Sequence, residues 1–218
     1  FDQARDDWQQ ILMVLAVVSM VVGSIAAIGQ NNIKRLMAYS SISHVGFILI
    51  GLAIGNIEGL NAVLIYLLVY VIANFGVFSF ILSMQKDSVA ITEISSLSLY
   101  SKINPLGAFL LSITILSLAG LPPLVGFFAK LYIFLAAVNS GFTWLAIVGG
   151  ISSVIGAYYY LRIVFLIYFA DVSGQLDNSI PLINWLILLF SGIAMLLGSI
   201  NLFGFQKILN PVVTSFLY

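Results

Sequence analysis

The sequence predicts an all-α integral membrane protein with six transmembrane segments, the fourth broken at residues 120–123. Three observations predict it. Apolar residues make up 61% of the 218 residues and charged residues 7%, against about 25% charged in a soluble domain, and the mean hydropathy is +1.14. Apolar runs recur at the length, about 20 residues, that crosses a bilayer. One such run contains SLAGLPPLVGFFAKL, which carries Gly120, Pro122, Pro123 and then Lys130. Proline has no N–H and its ring clashes with the carbonyl four residues back, so a helix cannot pass this point intact.

The first segment covers about residues 10–28, behind a polar flank in which Trp8 sits as an interface anchor. It reads as a plain lipid-facing span. The connection Gly29, Gln30, Asn31, Asn32 leads to the second, about residues 33–54. This one opens with Lys34 and Arg35 and then carries Tyr39, Ser40, Ser41, Ser43 and His44. Ser40, Ser41 and His44 lie three and four residues apart, which puts them on one helix face. Polar groups at membrane depth must face protein or water.

The third segment, about residues 60–84, is almost uniformly apolar, with Asn74 as its polar group near mid-depth and Tyr66 and Tyr70 above it. Residues 85–104 are the longest polar stretch. Ile91, Ile94, Leu97 and Leu99 are mixed with serines there, which predicts a short helix lying along the interface. The fourth segment runs over about residues 105–139. As one helix it would measure about 50 Å against a core of about 30 Å, and each half alone is too short to span. A helix broken at the GLPP junction fits both lengths. The fifth covers about residues 142–169 and includes Tyr158, Tyr159, Tyr160 and Arg162. A polar turn over residues 171–179 leads to the sixth, about residues 181–203, and the tail to Tyr218 reads as interfacial. The whole chain, residues 1–218, reads as a single membrane domain. It begins at Phe1 rather than Met, which suggests the C-terminal part of a longer protein.

Basic residues set orientation. Lys34, Arg35, Lys86, Lys102 and Arg162 fall on one side, which places that side in the cytoplasm or an organelle matrix; Arg5 and Lys207 fall on the other. Eight basic and eight acidic groups cancel, and no basic patch points to nucleic acid. The absence of cysteine excludes disulfides, thiolate catalysis and iron–sulfur ligation by this chain. With one histidine and no cysteine, no metal site is expected.

Lys130 is the leading candidate for chemistry. An ammonium in hydrocarbon is costly and is rarely left there without a task, and broken helices with a charge beside the break are how transporters build ion sites. The break is expected to free carbonyls such as those of Leu116 and Ser117 for water or a cation. The bland alternative is a lysine snorkelling to the interface. Histidine ordinarily titrates near neutrality, which suits His44 to a proton relay; its bland alternative is an imidazole satisfied by Ser40. Lys34 reads equally as a group reaching the polar interior or as a topology signal at the interface, where Arg35 belongs. Ser40, Ser41 and Asn74 are supporting polar groups, and Asn74 reads first as a helix–helix hydrogen bond. Tyr158, Tyr159 and Tyr160 read as interface belt and packing, and Arg162 as a surface group. Gly51 and Gly55 form a GxxxG pattern of the kind common in packed membrane helices.

Two stretches carry a resemblance: NIKRLMAYSSISHVG over residues 32–46 and LAGLPPLVGFFAK over residues 118–130. Together they resemble the antiporter-like proton-translocating membrane subunits of respiratory complex I, NADH:quinone oxidoreductase, on the branch of subunit N, mitochondrial subunit 2. YYYLR at 158–162 fits the same branch. The resemblance implies a chain of about fourteen helices with two inverted repeats, of which this one would hold the second repeat and the last helix. It implies that Lys130 is the intramembrane lysine of the second broken helix, hinged at Gly120, Pro122 and Pro123. His44 and Lys34 match polar positions on a central hydrophilic axis. A related branch has histidine where this chain has Asn74, which weakens a proton role there. The implied function is proton translocation by a non-redox subunit, with FMN, iron–sulfur clusters and quinone held by partner subunits and no cofactor in this chain. The implied partners are other membrane subunits of complex I, the lipid bilayer, and protons and water. The implied location is the bacterial inner membrane or, alternatively, the mitochondrial one. The rival readings are a subunit of a multi-subunit Na+/H+ antiporter or membrane-bound hydrogenase, and a structural membrane-arm module without a proton path.

Overall fold

The structure, a computed structural model, describes residues 5–87, 89–171, 176–177 and 180–200. Among the described residues eight α-helices follow in order: α1 (Arg5–Ile28), α2 (Ile33–Ile54), α3 (Ile57–Ser83), α4 (Tyr100–Ile103), α5 (Pro105–Ala119), α6 (Val125–Asn139), α7 (Thr143–Phe169) and α8 (Leu182–Leu197). Five stretches within this set, Trp8–Ile28, Ile33–Ile54, Ile57–Ser83, Thr143–Phe169 and Leu182–Ile200, are long and apolar enough to cross a membrane. The shorter helices α5 and α6 together make the sixth crossing. The chain is an all-α, multi-pass membrane protein.

Helix ends follow local chemistry. Asn56 caps α3 by accepting the Gly59 amide at 2.8 Å, so this helix starts three residues before the expected position 60. Asn32 caps α2 by accepting the Arg35 amide, and Asn104 caps α5 by accepting the Gly107 amide at 2.8 Å, with Pro105 next in line. The sixth expected segment is described only to residue 200. Its remaining residues, the tail to Tyr218, Lys207 and most of the turn at 171–179 lie outside the described residues.

The helices pack at short range where small residues meet. α1 and α2 share the most extensive contact of any helix pair, and a Cβ on Gly23 would lie 2.5 Å from the Ser43 amide. α3 packs against α2, α5, α6 and α8, and α7 against α1, α5 and α6. The outer faces carry apolar side chains such as Val18, Phe75, Val154 and Phe190, as required of a surface in contact with hydrocarbon.

The polar stretch 85–104 is not an interfacial helix. Gln85–Lys86 (β1) and Val89–Ala90 (β2) pair antiparallel, and a 3-10 turn at Ile94–Leu97 precedes the single turn of α4. The segment is strapped to the α1–α2 turn: Ile33 N–H donates to Thr92 O at 2.8 Å and Ile94 N–H to Asn31 O at 2.9 Å. Ile94, Leu97 and Tyr100 are buried between helices, so their apolar surface meets the bundle and not lipid. Arg162 donates to Ile28 O, Gln30 O and Asn31 Oδ1 at the same end. The basic residues expected on one side, Lys34, Arg35, Lys86, Lys102 and Arg162, thus gather at one end of the bundle.

Candidate functional site

The site is built on the break between α5 and α6. Gly120 has φ +83°, a left-handed conformation that only glycine adopts without strain. Its N–H donates to Ser117 O at 2.9 Å while the Leu121 N–H donates to Leu116 O at 3.2 Å. This pair of bonds closes a Schellman cap. The carbonyls of Leu116 and Ser117, expected to be open to water or a cation, are therefore occupied by the cap. Pro122 and Pro123 then carry the chain across, both exposed at the bundle surface.

α6 returns directly under the end of α5. A Cβ on Gly126 would sit 1.9 Å from Ser117 O, so no larger residue allows this approach. The Gly126 N–H, one of the amides left open at a helix start, donates to Ser117 Oγ at 3.0 Å. This places Lys130 beside the C-terminus of α5. Its Nζ donates to Ala119 O at 2.9 Å and to Ser153 Oγ of α7 at 3.0 Å, and it lies 5.2 Å from the centroid of the Phe47 ring. The negative end of a helix dipole, one hydroxyl and one aromatic face thus receive the ammonium. No carboxylate is among these contacts. Lys130 is 6% exposed, so it does not snorkel to the interface within this bundle.

His44 reaches the same region from α2. Its Nδ1 is 2.7 Å from Tyr66 Oη of α3, and its Nε2 is 3.1 Å from Tyr160 Oη of α7. Ser40 Oγ hydrogen-bonds Tyr160 Oη, so the alternative in which Ser40 satisfies the imidazole directly does not hold. The Tyr70 ring packs against the imidazole with centroids 4.8 Å apart. A small cavity lies between His44, Tyr66, Tyr70, Ser117, Gly126 and Lys130, with room for about one water molecule. The structure therefore brings Lys130, His44, Ser40 and Gly120 into one neighbourhood.

Ser41 and Asn74 border this neighbourhood through hydrogen bonds to the Tyr70 side chain, and Lys34 and Arg35 lie apart from it. The Lys34 and Arg35 side chains are exposed at the start of α2. Ser41 Oγ donates to Met37 O of its own helix at 2.8 Å. Asn74 Nδ2 donates to Tyr70 O, also within its own helix, at 2.8 Å, and not across to a neighbouring helix as expected. Sequence reasoning missed Ser153, Tyr160 and Tyr66 as partners. Tyr158 is exposed as a belt residue would be, but Tyr159 and Tyr160 are buried at 1% each. The available signal was spacing: Ser153 and Tyr160 stand seven apart, on one face of α7.

Comparison with known proteins agrees with this architecture. NADH-quinone oxidoreductase subunit N of Rhodobacter capsulatus is 48% identical over 206 residues, which cover 94% of this chain and 43% of that protein. A chain of respiratory complex I from Thermus thermophilus superposes with TM-score 0.79 at 29% identity, over 93% of this chain and 45% of that one. A chain of the Mrp complex from Dietzia sp. DQ12-45-1b shares the fold, with TM-score 0.78 at 22% identity over 95% and 46%. The chain thus spans less than half the length of the relatives it matches. The family described as NADH:quinone oxidoreductase/Mrp antiporter, transmembrane, matches residues 1–156, and the chain belongs to that family.

Proposed function

We propose that this chain translocates protons as part of a non-redox membrane-arm subunit of NADH:quinone oxidoreductase. In this reading electrons pass from NADH through flavin and iron–sulfur centres to quinone in partner subunits, and other membrane subunits of the same complex flank this one in a bacterial inner membrane. Lys130 and His44 supply a path through which a proton is held and handed on. Lys34, exposed in this chain, would serve at a face covered by the rest of the protein or at the interface.

One observation carries the proposal: the Lys130 ammonium is buried at the C-terminus of a half-helix with a carbonyl, a hydroxyl and an aromatic ring as its contacts. A fixed carboxylate would hold that charge permanently. Neutral acceptors hold it weakly enough for the proton to leave, which is the property a carrier needs. The polar partners of Lys130 and His44 speak against a purely structural module, which needs dry packing there. The relatives at about half identity, named NADH-quinone oxidoreductase subunit N, favour the quinone-linked complex over an Na+/H+ antiporter.

The test is Lys130→Ala in the assembled complex, reconstituted into vesicles, with proton uptake followed during NADH oxidation. A loss of pumping with intact assembly is expected. Undiminished pumping overturns the role of Lys130.

A further inference from the structure

We infer that Ser40, Tyr160, His44 and Tyr66 form one continuous proton relay, in which both tyrosine hydroxyls carry the proton and the histidine tautomer sets the direction. The inference rests on the proton-transfer reading above and adds two residues and a polarity to it. The four groups come from α2, α7 and α3, and each is nearly sealed: Ser40 is 1% exposed, Tyr160 1%, His44 4% and Tyr66 3%. Their oxygens and nitrogens touch in sequence. Ser40 Oγ bonds Tyr160 Oη, Tyr160 Oη bonds His44 Nε2, and His44 Nδ1 bonds Tyr66 Oη. The Tyr66 end opens on the cavity that Lys130 lines.

The hydroxyls of Ser40 and Tyr160 also meet Tyr159, and among the arrangements open to these groups two run every bond of the chain in one direction. A neutral imidazole has one N–H and one lone pair, and each hydroxyl has one proton to give. In the first arrangement Ser40 donates to Tyr160, Tyr160 donates to Nε2, and the Nδ1–H donates to Tyr66. In the second every bond is reversed: Tyr66 donates to Nδ1, the Nε2–H donates to Tyr160, and Tyr160 donates to Ser40.

Passage of one proton converts the first arrangement into the second. A proton arrives on Ser40 Oγ as the serine proton moves to Tyr160 Oη. The Tyr160 proton moves to Nε2, the Nδ1 proton moves to Tyr66 Oη, and the Tyr66 proton leaves into the cavity beside Lys130. One proton enters, one leaves, and no electron pair is transferred to or from the protein. A second proton cannot follow until the hydroxyls turn and the proton on the ring returns from Nε2 to Nδ1. The imidazole cannot do this by flipping freely, because Tyr70 packs on it at 4.8 Å and Phe47 at 6.3 Å between centroids. The relay therefore carries one proton per reset.

The experiment uses the assembled complex in vesicles, with a pH-indicating dye reporting the initial rate of proton uptake per complex during NADH oxidation. Ser40→Ala, Tyr160→Phe, Tyr66→Phe and the Ser40→Ala/Tyr160→Phe double variant are compared, with Lys130→Ala alongside. Each single variant breaks the same chain, so each is expected to lower the rate about tenfold or more, and the double variant is expected to fall no further than either parent. Ser40 and Tyr160 touch, so a structural role also couples their losses; the melting temperature of each variant is therefore read beside its rate, and a relay role lowers the rate with the melting temperature kept. Multiplying losses, a rate that falls only together with the melting temperature, or a rate in Tyr160→Phe and Ser40→Ala equal to the unaltered complex, overturns the relay. Should Tyr160→Phe fail to assemble, Ser40→Ala decides alone: it removes one hydroxyl, keeps both phenols, and an unaltered rate overturns the proposal. Loss in Lys130→Ala with normal rates in the relay variants sinks only the relay, whereas a normal rate in Lys130→Ala sinks the proton-transfer reading beneath it.

Discussion

Lys130 Nζ and the carbonyl oxygen of Ala119 are 2.9 Å apart, joined across the gap between two half-helices. Ala119 is the last residue of α5 and Lys130 stands in the second turn of α6. The break therefore does two things at once. It ends α5 at membrane depth, where its carbonyls carry partial negative charge, and it turns the chain so that a cation from the next helix meets them. Neither the prolines nor the lysine achieves this alone.

Gly120 is the residue most exposed to test by a small change. Its φ of +83° is unfavourable for any residue with a Cβ, by about 1–2 kcal/mol, and a Cβ there would lie 2.9 Å from Lys130 Cδ and 3.1 Å from Nζ. Gly120→Ala is expected to lower both the thermal stability of the purified complex and its proton uptake. A variant that melts and pumps like its parent contradicts the cap geometry.

Ser153 supplies the hydroxyl that receives the Lys130 ammonium at 3.0 Å. A hydrogen bond to a charged group contributes about 1.5–3 kcal/mol, so Ser153→Ala is expected to slow proton uptake about tenfold while leaving the complex assembled. Its effect should be smaller than that of Lys130→Ala. Equal rates in Ser153→Ala and the unaltered complex would show that the ammonium does not use this hydroxyl.

Tyr100, outside the membrane-spanning helices, gives a prediction in pH. Burial against Phe80, with ring centroids 5.2 Å apart, pushes its phenol up to about 12. The unfolded chain ionises near the ordinary value of about 10. The neutral phenol therefore contributes stability that is complete below pH 10 and lost as pH rises through 12. Tyr100→Phe keeps the packing and removes the ionisation. Between pH 9 and 12 the unaltered complex is expected to lose on the order of 1–2 kcal/mol more stability than the variant, read from denaturant unfolding at each pH. Parallel losses contradict the assignment.

Much of this was legible in the residues, for physical reasons that differ by element. Pro122 and Pro123 force a break, and Lys130 stands seven residues beyond it; both features are local and need no knowledge of neighbours. The partners of Lys130 and His44 were not legible. Ser153 and Tyr160 stand 23 and 116 residues away in the chain, and only the packing of α7 against the other helices brings them close. The tyrosine run at 158–160 divides, with Tyr158 outward and Tyr159 and Tyr160 inward, and composition cannot tell these faces apart. The stretch 85–104 misled because its apolar residues read as a membrane-facing stripe, while backbone pairing with Asn31 and Ile33 turns them into the bundle.

The most direct measurement is proton uptake by vesicles carrying the assembled complex with Lys130→Ala, taken per complex and beside a check that all subunits are present. The account expects uptake to collapse while assembly is retained. Uptake equal to that of the unaltered complex would mean that the buried ammonium beside Ala119 carries no proton.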